Sequence, residues 1–107
     1  MIHITRSSNQ VLITCGSASA SLGATGIMQQ QHVECELGEV FRQAHVSHKI
    51  RDYATVKYPK ASTLYLCKDR RILSIAAECG QEVEVEGSII AVSKVLELAG
   101  VPYVIEN

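Results

Sequence analysis

Long apolar runs are missing from this sequence. Its most apolar stretch, residues 89–99, is interrupted by Ser93, Lys94 and Glu97. That stretch falls short of the ~18 apolar residues that a membrane-spanning helix needs. The N-terminal residues also lack the basic segment and the following apolar run of a secretory signal. We therefore expect a protein with a cytoplasmic location and no membrane partner.

Extremes of composition are missing as well. The chain has 107 residues and no tryptophan, with 47% hydrophobic and 20% charged residues. These fractions are ordinary for a globular protein, and they exclude a disordered chain and a coiled coil. A chain of this length is expected to form one domain, residues 1–107, around one hydrophobic core.

Closely spaced cysteine pairs are also absent. The four cysteines are Cys15, Cys35, Cys67 and Cys79, and no C-x-x-C pair occurs among them. This spacing excludes a thioredoxin-type redox centre. Because there is no signal peptide and the apolar content suffices for a core, we expect reduced thiols that are buried as small hydrophobic side chains.

The small-residue segment 16–26 lacks the motifs of phosphate-binding loops. Its glycines fit neither the Walker A pattern nor the dinucleotide-binding pattern, and no lysine occurs in the first third of the chain. Small polar residues fill the segment, so we expect a surface loop. A ligand-binding loop is the alternative, with Gly16, Ser17, Gly23 and Gly26 as its candidate residues.

Cys15 is the candidate nucleophile for an enzyme. It ends a predicted strand directly before the small-residue segment, whose backbone N–H groups can activate a thiol. His3 on the neighbouring predicted strand is the closest candidate base. A cysteine phosphatase would need arginine at position 21, where this chain has Ser21. This set is incomplete, so the sequence favours a protein that is not an enzyme and that needs no cofactor.

Two histidine- and cysteine-containing pairs have the spacing of zinc ligands. His32 and Cys35 form one pair, and His45 and His48 form the other. A tetrahedral zinc site would require a chain break near Gly38 that folds the two pairs together. We expect instead that these side chains lie on or partly within a helix and bind no metal.

Charge is distributed unevenly along the chain. Residues 39–71 carry eight basic and three acidic side chains, whereas residues 72–107 carry a net charge of −5. This pattern indicates an anionic partner, or two surfaces that attract each other within one molecule or across a homodimer. The candidate binding residues are Arg42, His45, Lys49, Arg51, Arg70 and Arg71.

Hydrophobic periodicity predicts an α+β fold with a mixed, mostly antiparallel sheet of five or six strands and two main helices on one face. Hairpins are expected within 2–15 and 64–75, a strand at 82–86, and a short strand at 102–105. One helix is predicted at 88–99 with Ser88 as its N-cap. The hairpins resemble each other, which allows a degenerate ββα duplication with units 1–57 and 62–107.

The second predicted helix lies within 38–57. Apolar residues recur there at three- and four-residue spacing, so Val40, Phe41, Ala44 and Tyr53 are expected to face the core. Pro59 requires the helix to end before it.

The sequence favours a small stand-alone binding or regulatory module that acts through protein–protein contacts. One alternative is a small ligand-binding protein or thiol-dependent enzyme that uses segment 15–26. Another is nucleic-acid binding by the basic segment 42–71, where tyrosines lie among the basic residues. The pI of about 6.4 is low for a nucleic-acid-binding domain, and the alternatives for this segment are an acidic protein partner and a solvated helix face.

Overall fold

The computed structural model of this chain describes residues 1–52 and 54–106. Within these residues the chain forms nine strands and two helices. In chain order they are β1 (Ile2–Ser7), β2 (Gln10–Cys15), β3 (Ala18–Gly23), α1 (Ile27–Gln43), β4 (His48–Ile50), β5 (Ala54–Val56), β6 (Leu64–Asp69), β7 (Ile72–Ala76), β8 (Glu82–Glu86), α2 (Ile89–Leu98) and β9 (Tyr103–Glu106).

The nine strands form one mixed sheet in the order β5-β4-β1-β2-β3-β8-β7-β6-β9. The α+β class is confirmed, but the predicted sheet of five or six strands was too small. The predicted antiparallel character also did not place the two parallel pairs among the eight described strand pairs, which arise because each helix returns the chain to a parallel neighbour. β4 runs parallel to β1, and β9 runs parallel to β6. A helix is the usual connection between parallel strands.

The two halves of the chain share one connectivity. In each half three strands pair antiparallel, a helix follows, and the next strand pairs parallel with the first. Within the described residues the halves of the sheet meet at one pair, Gly23 opposite Glu86. A Cβ atom at Gly23 would lie 3.2 Å from Cβ of Glu86, so a glycine suits this crossing. The shared unit is three strands, a helix and a strand rather than the predicted ββα unit, and the degenerate duplication stays a prediction.

Alternate strand residues face one buried side of the sheet, which the two helices cover. α2 packs mainly on β3 and β2 of the first half, and α1 packs on β8 of the second half as well as on β2 and β4. Because each helix crosses onto the other half, the described residues share one core. Phe41 of α1 and the aliphatic side chains of the strands are the largest side chains in it.

Helix α1 begins earlier than the predicted helix at 38–57. Its buried stripe contains Val33, Leu37, Val40 and Phe41, which have the spacing of one helical face. Gly38 lies inside this helix and does not break it.

The predicted helix at 38–57 also extended too far, since α1 ends at Gln43. The chain turns at Ala44, and the residues after it form β4 and β5. Ala44 and Ile50 are buried, and Ile50 reaches the core from a strand, so apolar spacing alone could not distinguish the two structures. Tyr53, predicted to face the core, lies outside the described residues.

The segment 16–26, predicted as a loop, contains strand β3. Ala20 and Leu22 are buried while Ser19 and Ser21 are exposed, which is the alternation of a strand. Helix α2 packs on this strand, whose buried face carries the small Ala20 beside Leu22.

The remaining elements confirm their predictions. Both hairpins, the strand at 82–86 and the final strand are present. The hydroxyl of Ser88 accepts a hydrogen bond from the backbone N–H of Ala91, so Ser88 is the N-cap of α2.

Candidate functional site

Strand β9 forms one edge of the sheet and presents apolar side chains to solvent. Val104 is 46% exposed and Ile105 is 48% exposed. Natural edge strands are commonly protected by lysine, by proline or by a bulge. β9 has an unbroken register with β6, and Glu106 is its only charged residue.

The equivalent strand of the first half, β4, is covered. β5 pairs antiparallel with it, whereas the second half has no strand in that position within residues 54–106. Ile50 of β4 lies opposite Ile4, as Ile105 of β9 lies opposite Leu66. Ile50 is 7% exposed, against 48% for Ile105. The two halves therefore differ in whether this edge is closed.

Tyr103 fixes the beginning of β9 against helix α2. Its hydroxyl donates a hydrogen bond to the carboxylate of Glu97 in the last turn of that helix. This hydrogen bond raises the pKa of Tyr103 above its ordinary value. The open edge is therefore held in place by a side-chain contact as well as by the pairing with β6.

A buried carboxylate lies near the opposite edge of the sheet. Glu34 of α1 is 2% exposed, and its Oε1 atom accepts hydrogen bonds from Nε and Nη2 of Arg6, at 3.0 and 2.7 Å. Its Oε2 atom lies 3.3 Å from Nε of Arg51. A buried carboxylate is tolerated only when cations and donors compensate it. Glu34 therefore holds one arginine from β1 and another from the turn after β4.

Arg42 of α1 completes this group of arginines. Its Nη2 atom lies 2.5 Å from Oε2 of Glu39, and this hydrogen bond lowers the pKa of Glu39. A Cβ atom at Gly38 would make a tight contact with Cδ1 of Ile50, at 3.1 Å, and an ordinary contact with Nη1 of Arg42, at 3.5 Å.

The three arginines line one cleft of about 400 Å³ around Glu34. We call it the arginine cleft. Ile50 and Ala54 contribute apolar surface to it, and Gln31 and Cys35 lie on its α1 side. The lining side chains carry three positive charges and one negative charge at neutral pH. The cleft can therefore attract an anion and offer it guanidinium donors.

The structure brings together only part of the predicted basic set. Arg42 and Arg51 line the arginine cleft, whereas Arg70 and Arg71 line a different cleft beside the β6–β7 turn. β2, β3 and β8 separate β1 from that hairpin in the sheet. Arg71 is paired with Glu86 at 2.9 Å.

The other two members of that set lie elsewhere. His45 follows α1 and stacks on Tyr58, with ring centroids 5.0 Å apart. Lys49 lies on β4 opposite His3 of β1. Both therefore lie outside the lining of the arginine cleft.

The predicted pairing of Cys15 with His3 was wrong. Cys15 is buried, whereas His3 is exposed. His3 lies opposite Thr14 across the hairpin, and neighbouring residues of a strand point to opposite faces. Cys15 and His3 therefore lie on opposite faces of the sheet, so His3 cannot act as a base for this thiol.

The predicted burial of the cysteines holds for one of them. Cys15 is buried, Cys67 is partly buried, and Cys35 and Cys79 are exposed. All four are free thiols and form no disulfide. The exposed thiols are therefore not the small core side chains that the sequence analysis expected.

The predicted ligand loop does not form. Gly16 and Ser17 turn the chain between β2 and β3, while Gly23 ends β3 and Gly26 precedes α1. Five residues of β3, residues 18–22, separate Ser17 from Gly23. Because an extended strand of that length spans roughly 20 Å, the four residues cannot surround one small ligand.

The four metal-ligand candidates are also dispersed. His32 is exposed and lies 2.7 Å from Glu36, while Cys35 is exposed on the same helix. His45 stacks on Tyr58, and His48 is fully buried with Nδ1 2.8 Å from the carbonyl oxygen of Val46. In the part of the chain that the structure describes, no three His, Cys, Asp or Glu side chains are grouped as a metal site would require.

Glu34 and Arg6 were not predicted as site residues. A signal for Glu34 was present, since residues 30, 34, 37 and 41 have the spacing of one helical face. Glu34 therefore falls on the same stripe as Leu37 and Phe41. A charged residue on an apolar stripe indicates a buried ion pair, but the sequence does not show that its partner is Arg6, 28 residues away.

Among the described residues, neither helix has both the length and the apolar character needed to cross a membrane. Comparison with protein-family models, with curated proteins and with solved structures found no match for this chain.

Proposed function

We propose that this chain is a protein-binding module that accepts an extended strand along β9, and that its partner is a second copy of the same chain. One observation carries the proposal. The strand position beside β4 is filled by β5, while no strand of the described residues fills the equivalent position beside β9. The first half therefore provides a template for the strand that would close the second half.

The geometry of a two-fold dimer follows from the alternation of side chains. A continuous antiparallel sheet through two β9 strands requires residues of the same face to lie opposite each other. With the axis at Val104, that residue faces its own copy, and Tyr103 faces Ile105. This register keeps Glu106 away from the same residue of the other copy.

The energetics predict a weak dimer. Val104 and Ile105 are each about half exposed, so burying them contributes roughly 1 kcal/mol per side chain, with ~1 kcal/mol per backbone hydrogen bond. Association costs at least ~4 kcal/mol. We therefore expect a concentration-dependent equilibrium between monomer and dimer.

Sedimentation equilibrium between about 10 µM and 1 mM protein tests this proposal. The weight-average mass should rise from 11.7 kDa towards twice that value as concentration increases. Ile105→Lys should prevent the rise, since two lysines would enter the new strand pair. Val104→Lys should have the same effect and is the second variant if the first fails to fold.

Ile90→Lys is the matched control. Ile90 is 66% exposed but lies on α2, so this variant should dimerise like the original chain. A constant monomer mass at 1 mM would overturn the proposal. Equal effects of the lysine substitutions at positions 90 and 105 would overturn the assignment to β9.

A further inference from the structure

We propose that the arginine cleft binds a small phosphate monoester, with the phosphate on the guanidinium groups and the esterified group against Ile50 and Ala54. This site lies near the β4–β5 edge of the sheet, whereas the proposed partner strand binds at β9. The inference is therefore independent of the proposed function.

Charge and donor geometry favour an anionic ligand. The side chains that line the cleft have three positive charges and one negative charge. With the carboxylate of Glu39, which is paired with Arg42, the group has a net charge of +1 and attracts an anion. A phosphate monoester carries −1.5 to −2 charges at neutral pH, as a phosphorylated side chain does. A guanidinium group presents its donors in a planar fork that matches two phosphate oxygens.

The arginines are held in place before any ligand arrives. Oε1 of Glu34 accepts two hydrogen bonds from Arg6, and Oε2 lies 3.3 Å from Nε of Arg51. Arg42 is held by Glu39. A ligand then loses less free energy to the ordering of long side chains than it would at a surface of mobile arginines. Glu34 acts here as a positioning residue.

The shape of the cleft favours a small molecule. Its volume of about 400 Å³ lies within the range of small-molecule sites. Its cations come from β1, from α1 and from the turn after β4, so they converge on one concavity. A nucleic acid would instead require a groove that follows successive phosphates.

Titration with phenyl phosphate in phosphate-free buffer tests the proposal. Backbone amide NMR shifts and calorimetry should both show one saturable site, with the largest shifts around Arg42, Ile50 and Ala54. Inorganic phosphate should bind at the same amides with lower affinity because it lacks the apolar group. Phenol, which lacks the phosphate, should produce no saturable shifts there.

Arg42→Gln and Arg71→Gln form the matched pair of variants. Each removes one positive charge from an arginine that is paired with a glutamate, at Glu39 and Glu86 respectively. We expect Arg42→Gln to weaken phenyl phosphate binding at least tenfold and Arg71→Gln to weaken it less than twofold. Arg42 is 42% exposed, so its replacement should leave the fold intact.

Glu39→Gln provides a second check, because it releases Arg42 from its partner and also raises the net positive charge, and these two effects on affinity oppose each other. Affinity should then change by less than threefold. No saturable binding at 10 mM phenyl phosphate would overturn the proposal, as would equal losses in Arg42→Gln and Arg71→Gln. A phosphoserine peptide that bound more than tenfold tighter than phenyl phosphate would also overturn it, because the site would then recognise a modified protein.

Discussion

His45 and Gly100 occupy equivalent positions in the two halves of the chain. Each follows the last turn of a helix with a positive φ, 54° for His45 and 72° for Gly100. The valine after each of them donates its backbone N–H to the carbonyl five residues earlier, at 2.8 and 2.9 Å. This hydrogen bond closes a helix end in which glycine is the usual residue. The first half has histidine there instead.

His45→Gly should therefore stabilise the protein. The left-handed conformation costs a residue with a side chain roughly 1–2 kcal/mol, and glycine avoids this cost. Loss of the stacking contact with Tyr58 offsets part of the gain, so the free energy of unfolding should rise by about 0.5–1 kcal/mol. Urea unfolding followed by circular dichroism measures the change.

Gly100→Ala is the reciprocal test. A Cβ atom at Gly100 would have no neighbour within 4 Å among the described residues, so the backbone conformation is what opposes the substitution. We expect the free energy of unfolding to fall by about 1 kcal/mol. If His45→Gly were destabilising while Gly100→Ala behaved as expected, the stacking of His45 on Tyr58 would outweigh the backbone strain.

Elements with strong local signals were predictable from the sequence. Helix α2 has a broad apolar face and an N-cap at Ser88, and strand β8 alternates glutamate with valine. These signals do not depend on distant residues, and both predictions were confirmed. The two hairpins were also visible, because each consists of two apolar runs around a short turn.

Strand β3 lacks such a local signal and could not be predicted in the same way. Alanine and serine alternate in it, but small side chains have a low preference for strands. What makes them favourable is the close approach of α2, about 70 residues further along the chain. The arginine cleft depends on sheet order in the same way, since Arg6 reaches Glu34 only after α1 has packed on the sheet.

Gln30 was not predicted to be buried, although it has a structural role that can be tested. It is buried, and its side-chain amide donates to the carbonyl oxygens of Ser7, Gln10 and Ala24, at 2.9, 3.3 and 3.3 Å. Gln30→Met has a similar shape and leaves these acceptors without that donor. We expect the free energy of unfolding to fall by about 2 kcal/mol. Gln31→Met, at an exposed position of the same helix, should change it by less than about 0.5 kcal/mol.

Arg6 and Glu34 should show a strong energetic coupling. Arg6→Met leaves the buried carboxylate of Glu34 with Arg51 as its nearest described cation. We therefore expect the free energy of unfolding to fall by about 3 kcal/mol. The double variant, Arg6→Met with Glu34→Met, has no buried charge at this position. Its loss in the free energy of unfolding should be about 2 kcal/mol smaller than the sum of the losses in the two single variants. A double-mutant cycle in urea measures this difference. Additive losses would show that Glu34 does not depend on Arg6.

Acidification should destabilise the protein through His48. This side chain is fully buried, and within the described residues its Nε2 atom has no hydrogen-bond partner. Burial lowers its pKa below the ordinary value of 6.5, the positive charge of Arg42 lowers it further, and the hydrogen bond with Val46 only partly opposes this. The unfolded chain therefore binds a proton at a higher pH than the folded chain does. The stability contributed by neutral His48 is complete well above pH 6.5 and is lost as the pH falls through the folded-state pKa.

The pH dependence can be assigned to this residue by substitution. Between pH 7.5 and 5.5 the free energy of unfolding should decrease with a slope of up to about 1.36 kcal/mol per pH unit. His48→Leu should remove most of this slope, because no proton then binds preferentially to the unfolded chain at that position. His32→Gln, at an exposed position, should keep the slope. An unchanged slope in His48→Leu would mean that a group other than His48 causes the loss of stability. Carboxylates with ordinary pKa values do not contribute to the expected slope, because they are already ionised over this range.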